Sequence, residues 1–236
     1  MVRYLQNQVV RQLFLHGQPR SYAKNEIVVQ NDDTSDWVYF IDTGYVKIYS
    51  LSDDGDQHLH IILGPGELFP ILTAFLGTHM DFIFCETLTP CTLWTVSRGW
   101  FLRSMHESPR INYALMMQLA NQFRVFVVRV DNLEHKKARE RVAYRILFMA
   151  SRFGVHTDDG VIIEAPLTHE VIANSINLAR ESFSREIEKL VENHIVSYDQ
   201  HQITVHDVEA LIAAAGHPAS DSFWFPDYYP ESARAF

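Results

Sequence analysis

Along the chain the hydrophobic positions change period several times, and each change marks a different kind of element. Leu5, Val9, Val10, Leu13 and Phe14 recur at helical spacing and predict a short amphipathic helix over residues 3–15. The segments EIVVQ, WVYFIDTGYVKIYSL, HLHIIL and CTLWTV follow. They are rich in β-branched and aromatic residues, which suit a pleated, half-buried surface. Turn chemistry separates them at Asp42-Thr43-Gly44, Asp53-Asp54-Gly55-Asp56 and Gly64-Pro65-Gly66. The Asp54-Gly55 pair between two apolar runs signals a hairpin. Short strands this closely spaced predict an antiparallel, jelly-roll-like β-roll over about residues 20–98.

The pattern then becomes helical. SPRINYALMMQLANQFRVFVVRVDNLEHKK has no Gly, and its one Pro stands near the start, where a first turn accepts it. Leu119, Phe123, Phe126, Val130 and Leu133 step by 4, 3, 4 and 3, a heptad seam. Such a seam packs either on its own barrel or on an identical helix, and the strict 3.5 period favours a symmetric homodimer. The polar run Glu134-His135-Lys136-Lys137 reads as a hinge. A further helix, ARERVAYRILFMASRFG, is expected to end at Gly154. Asp158-Asp159-Gly160 then divides two short β-prone pieces. LTHEVIANSIN predicts a short helix with Thr168 as N-cap and Glu170 in its first turn. INLARESFSREIEKL predicts a longer helix, and HIVSYDQHQITVH two strands around a polar turn.

The fold class is therefore α+β, in four segments: an N-terminal helix and β-roll over 1–107, a long dimerisation helix over 108–135, a helix–turn–helix with a hairpin wing over 136–216, and a tail over 217–236. On the helix INLARESFSREIEKL the residues Arg180, Glu181, Ser184 and Arg185 share one side, opposite Ile176, Phe183, Ile187 and Leu190. In isolation such a polar side is a solvated surface. After a short helix and before a hairpin it becomes the reading head of a winged helix-turn-helix. A guanidinium from Arg180 or Arg185 matches the O6 and N7 of guanine, and the Glu181 carboxylate accepts from cytosine N4. Thr168, His169, Ser182 and Ser184 are placed to donate to phosphates of double-stranded DNA. Ala179 leaves the capping of the reading helix to Asn177 or to the backbone, while Glu186 and Glu188 would weaken phosphate binding.

Composition narrows the picture. A net charge of −9, with no basic segment, confines DNA contact to a local cluster. No apolar run approaches the roughly 20 residues of a membrane helix, and the polar start is unlike a secretion signal, so a cytoplasmic location away from membranes is expected. Cys85 and Cys91, both in strand-like stretches, read as buried thiols in a reducing compartment. No nucleophile–base arrangement, HExxH, paired CxxC or P-loop is present, and no enzyme is expected. The tail carries Phe223, Trp224, Phe225, Tyr228 and Tyr229 among prolines 218, 226 and 230. It is expected to dock on its own domain or a dimer mate, with a partner contact as the alternative.

In its order of β-roll, long helix, hinge and winged helix, the chain resembles the CRP/FNR family of bacterial transcription regulators over about residues 20–210. GPGELF (64–69) looks like the family's glycine-containing strand junction, and LARESFSREIEKL looks like its recognition helix with an Arg-Glu-x-x-x-Arg core. The resemblance implies base contacts by Arg180, Glu181 and Arg185, a TGTGA-like half-site in an inverted repeat, and RNA polymerase as a partner. Cyclic-AMP-binding members carry a Glu for the ribose and an Arg-Ser pair for the cyclic phosphate. Here Ile71 and Asp81-Phe82 stand in those places, so cyclic AMP is not expected as the effector. Two cysteines cannot supply the four-cysteine cluster of the family's oxygen sensors. Phe69, Ile71, Leu72, Phe75, Phe82 and Phe84 make the sensory region apolar. It is read first as a filled core, next as a seat for an apolar or aromatic small molecule, and last as a haem site with His79, Met80 or Cys85 as axial ligand. An alternative function is a sensor module whose winged helix contacts protein instead of DNA.

Overall fold

The computed structural model describes residues 2–30, 36–77, 82–135 and 137–216. His79, Met80, Asp81 and the tail at 217–236 lie outside these described residues. By packing the chain divides into two units, Met1–Val128 and Arg129–Phe236.

The first unit opens with helix α1 (Val2–Phe14) and strands β1 (Gln18–Tyr22), β2 (Ile27–Val29), β3 (Trp37–Thr43), β4 (Val46–Leu51), β5 (Gln57–Leu63) and β6 (Leu68–Phe69). Helix α2 (Ile71–Leu76), strands β7 (Phe84–Thr87) and β8 (Cys91–Ser97), and helices α3 (Arg98–Glu107) and α4 (Pro109–Glu134) complete it, the last turns of α4 belonging to the second unit. The strands form two four-stranded antiparallel sheets, β1-β8-β3-β6 and β2-β7-β4-β5. The Asp54-Gly55 turn joins β4 to β5 as expected. Gly55 adopts φ +87, and Ser52 N donates to Asp56 O at 2.9 Å. Strand β1 escapes periodicity because QPRSY is polar and exposed, and β6 and β7 because LF and FCET carry no apolar–polar alternation. The α1 stripe packs down as predicted: Val10, Leu13 and Phe14 are buried, and the Phe14 ring stacks on Phe40 at 5.5 Å. Phe101 of α3 and Leu115 of α4 close the same core.

The buried side of helix α4 is mixed, with Leu115, Val125 and Val128 sunk beside two glutamines. Its buried side presents Gln118 and Gln122, which donate to Gly66 O at 2.7 Å and Leu68 O at 2.9 Å. Its outer side leaves Met116 59 %, Phe123 69 % and Val130 60 % exposed. The two amides satisfy carbonyls at the strand junction and so hold the helix in register. The apolar residues have nothing to pack on within the described chain.

The second unit contains α5 (Ala138–Phe153), β9 (Gly154–Thr157), β10 (Gly160–Ile163), α6 (His169–Ser175), α7 (Arg180–Glu192), β11 (Val196–Asp199), β12 (Gln202–Val205) and α8 (Val208–Ala214). Its sheet runs β11-β12-β10-β9, all antiparallel. The packing boundary falls inside α4, ahead of the polar run at 134–137, because the last turns of α4 are bonded to α5. Tyr144 OH donates to Asp131 Oδ2 at 3.0 Å, and Asn132 Nδ2 donates to Arg141 O at 3.2 Å. Helix α5 ends at Phe153 with Gly154 at its C-cap, as the sequence predicts, and Gly154 is extended (φ −80, ψ 137). It is glycine because a Cβ there would lie 2.1 Å from Ala150 O and 2.5 Å from Val161 Cγ1. Helix and strand meet too closely at this point for any side chain.

Candidate nucleic-acid interface and effector cavity

The N-cap of α6 forms as its sequence demands: Thr168 Oγ1 accepts from Val171 N at 3.2 Å. The turn into α7 depends on Asn177, which sits in the left-handed region at φ +50. Asn177 therefore makes the turn and does not cap α7. Ala179 holds the N-cap place with no side-chain acceptor, which leaves the first amides of α7 open. Arg141 of α5 pins the turn from behind by donating to Ile176 O at 3.1 Å, a clamp that helical periodicity alone did not announce.

Phe183, Ile187 and Leu190 anchor α7, each at most 1 % exposed. Burying three such side chains contributes on the order of 1.5–3 kcal/mol apiece. The opposite side keeps Arg180, Glu181 and Arg185 exposed together. Arg185 Nη2 reaches back to Ser182 Oγ at 3.3 Å, and Lys189 pairs with Glu186 at 2.7 Å, so the Glu186 charge is already met on its own helix. The expected repulsion of phosphates thus falls mainly to Glu188. The wing, β11 and β12, turns through Gln200 (φ +47) and His201 (φ +68), the two left-handed positions of a tight hairpin.

The four residues expected at phosphates are placed differently from one another. Thr168 and Ser182 stay at the surface margin. His169 turns inward: Nδ1 is 2.7 Å from Ser184 Oγ, Nε2 is buried, and the ring packs against Tyr198 at 4.4 Å and Phe183 at 5.1 Å. His169 and Ser184 are therefore engaged with each other, which ties the first helix of the motif to the second and, through Tyr198, to the wing. Burial and the neighbouring Arg180 charge push the His169 pKa below its ordinary value.

In the first unit a cavity of about 340 Å³ opens beside α4. Ile48, Ile61, Leu68 and Ile83 form one wall, α2 contributes Ile71 and Leu72, and Phe82 closes an edge. Leu119, Phe123 and Phe126, three residues of the predicted seam, line its α4 side. Three of the six residues expected there go elsewhere. Phe69 is fully buried and stacks on Tyr39 at 5.1 Å, Phe75 meets Phe101 edge-on at 5.8 Å, and Phe84 stacks on Tyr49 at 5.4 Å. The region is thus neither wholly filled nor lined as the apolar run suggested, because alternate strand and helix positions face opposite ways. His60 and Gln122 bring polarity to the lining, already bonded to Ser50 Oγ (2.9 Å) and Leu68 O. No Arg or Lys lines the cavity among the described residues.

Cys85 does not fit the role of haem ligand. It is fully buried in β7, away from the cavity lining, and burial pushes its thiol pKa up, against the thiolate a metal needs. Cys91 is likewise buried, and its thiol donates to Tyr45 O at 3.3 Å. Among the described residues no three His, Cys, Asp or Glu gather as a metal site, and no helix is long and apolar enough to cross a membrane.

Comparison with known proteins places both units. A family model described as a Crp-like helix-turn-helix domain matches residues 140–214, and one described as a cyclic nucleotide-binding domain matches residues 19–108. The global nitrogen regulator of Nostoc sp. (strain PCC 7120 / SAG 25.82 / UTEX 2576) is 24% identical over 187 residues, covering 79% of this chain and 84% of that one. The CRP-like cAMP-activated global transcriptional regulator of Mycobacterium tuberculosis (strain ATCC 25618 / H37Rv) is 25% identical over 199 residues, covering 84% and 88%. Among solved structures, FixK2 from Bradyrhizobium japonicum shares the fold at a TM-score of 0.73 and 22% identity, covering 84% of this chain and 96% of that one. A CooA mutant from Carboxydothermus hydrogenoformans shares it at 0.71 and 18%, covering 86% and 90%.

Proposed function

Since the chain belongs to the CRP/FNR family of transcription regulators, we propose that it is a homodimeric, sequence-specific DNA-binding regulator whose β-roll senses a small apolar effector. One observation carries the DNA-binding half of this reading. Arg180, Glu181 and Arg185 stand exposed on one side of α7 while Phe183, Ile187 and Leu190 are sunk in the core behind them. The two arginines read guanines bidentately and Glu181 reads a cytosine, consistent with a TGTGA-like half-site. Thr168 and Ser182 supply phosphate contacts. RNA polymerase is the partner that this reading brings to the bound duplex.

The dimer reading rests on α4. Its exposed apolar side (Met116, Phe123, Val127, Val130) is what a second copy would bury, and two copies about a two-fold axis present their reading helices to an inverted repeat. The effector reading rests on the lining of the cavity. Apolar walls with no Arg or Lys among the described residues favour an uncharged, apolar or aromatic ligand over a cyclic nucleotide. Leu119, Phe123 and Phe126 belong at once to the cavity wall and to the seam, so an occupant that repositions them biases how the two α4 helices meet. That bias sets the two reading helices about 34 Å apart, one turn of DNA.

A gel-shift titration with the purified protein and an inverted TGTGA-like repeat tests the DNA reading. Retardation of the repeat ahead of a scrambled duplex at low salt is expected. Equal retardation of both, or none, overturns it and leaves the winged helix as a protein-contact surface.

A further inference from the structure

The helix-turn-helix of the second unit holds one polar side chain that its surroundings leave half satisfied. His169, the first residue of α6, sets Nδ1 2.7 Å from Ser184 Oγ on α7. Its Nε2 is buried and meets no partner among the described residues. The ring packs on Phe183 at 5.1 Å and on Tyr198 of the wing at 4.4 Å. Tyr198 is itself fixed, its hydroxyl 3.3 Å from Leu167 O and 3.1 Å from His201 Nδ1. The ionisable groups that face the ring are Arg180 and Glu188 of α7 and Tyr198 and His201 of the wing.

A neutral ring suits this seat. With its proton on Nδ1 it donates to Ser184, and Nε2 is left as a bare acceptor. A protonated ring does not suit it. The second proton adds a buried Nε2–H with nothing to accept it and sets a cation near Arg180. Burial first, then Arg180, disfavour the charged form, and Glu188 opposes them. The seat is also shallow: His169 and Ser184 are each only partly buried, and Thr168 beside them stands at the surface margin.

We infer that His169 is a proton-gated phosphate contact: neutral, it stays in its seat on Ser184, and protonated, it leaves the seat to meet a phosphate of the bound duplex. This inference rests on the DNA reading of α7 and adds to it a linkage with protons. Arg180, which keeps the ring neutral in the free protein, is the residue proposed to meet a guanine. A bound duplex brings phosphates to both side chains and so offsets the charge that disfavoured the second proton. Linkage is reciprocal, so a duplex that favours the proton is itself favoured by it. The ring's exit also frees Ser184 Oγ as a second donor to the backbone. Affinity then rises as pH falls through the DNA-bound pKa of His169 and levels off below the free value. One proton limits the rise to about tenfold per pH unit.

Fluorescence anisotropy with the inverted TGTGA-like repeat tests this, with a salt series run at about pH 8 and at about pH 5.5. Wild-type affinity is expected to rise at least about tenfold more over that interval than the affinity of His169→Gln, which cannot take up the proton. The wild-type salt slope is expected to steepen by about one at the lower pH, the mark of one added phosphate contact. His169→Arg, charged at both values, is expected to show that steeper slope at both, which keeps the test intact if His169→Gln fails to fold. Equal pH dependence of wild type and His169→Gln, with specific binding retained at pH 8, overturns the proposal alone. So does a wild type that weakens relative to His169→Gln as pH falls, which would make the proton a disruptor of the α6–α7 contact. Absence of specific binding at either pH overturns the DNA reading, and this inference with it.

Discussion

Arg180 and His169 stand close enough for the charge of one to shift the titration of the other, yet they do opposite work. Arg180 points to solvent at the start of α7 and is free to meet a base. Replacing it by Ala is expected to cost about 1–3 kcal/mol of DNA affinity and to relax preference at one guanine. A fluorescence-anisotropy panel of half-site variants checks this, and a loss uniform across all sequences would make Arg180 a phosphate contact instead. His169 is held inward and neutral. Its folded pKa lies below the ordinary value of about 6.5, so the folded state binds the proton more weakly than the unfolded state. Its contribution to stability is present above about pH 6.5 and is lost as pH falls through the lowered folded value. Calorimetry between pH 7 and 5 is expected to show a steeper fall in melting midpoint for wild type than for His169→Gln. Parallel curves would remove His169 as the origin. The polar character of His169 was plain in the sequence. Its inward direction was not, because it depends on Tyr198 of the wing arriving from a distant strand.

At the scale of elements, α4 shows most clearly how a pattern can be right while its meaning stays open. The heptad residues Leu119, Phe123, Phe126 and Val130 do form an exposed apolar stripe. What the pattern concealed is the glutamine side beneath it, bonded to the strand junction, and the cavity that three of those residues also line. Val130→Glu is expected to yield a folded monomer. The residue is 60 % exposed in the single chain, so the charge costs little there, whereas burial of two carboxylates against each other across a two-fold seam is strongly unfavourable. Sedimentation velocity at micromolar concentration checks the outcome, and an unchanged dimer would take the seam away from α4. Gly154 ends α5 where the sequence placed the end. A glycine at a helix end serves either a left-handed turn or a place where two backbones crowd, and a single sequence does not distinguish the two uses.

For the molecule as a whole, the two proposed sites differ in kind. The residues proposed to read DNA are presented on an exposed helix side, so their chemistry follows from which residues they are. The proposed sensing site is a cavity, and its chemistry depends on which neighbours turn toward it. Cyclic AMP at millimolar concentration is expected to leave the melting midpoint unchanged, since among the described residues no lining Arg or Lys meets its phosphate. An apolar ligand at a hundred times its Kd is expected to add about 2.7 kcal/mol. Differential scanning fluorimetry across a small-molecule panel checks both, and a clear upward shift with cyclic AMP would reverse the reading of the cavity.

By itself the sequence determined the succession of elements, the polar side of α7 that carries Arg180, Glu181 and Arg185, and the apolar stripe on α4. Each of these is a local period or a short spacing that backbone geometry converts directly into a surface. Only the tertiary structure decided what those surfaces enclose. It turned Phe69, Phe75 and Phe84 away from the cavity and His169 toward Ser184, Phe183 and Tyr198, and brought Arg129, Arg145 and Arg152 together. These outcomes rest on contacts between residues distant in the chain or on which side of a strand or helix meets a neighbour. A period shows that a residue has a side, but what stands opposite it is set by packing.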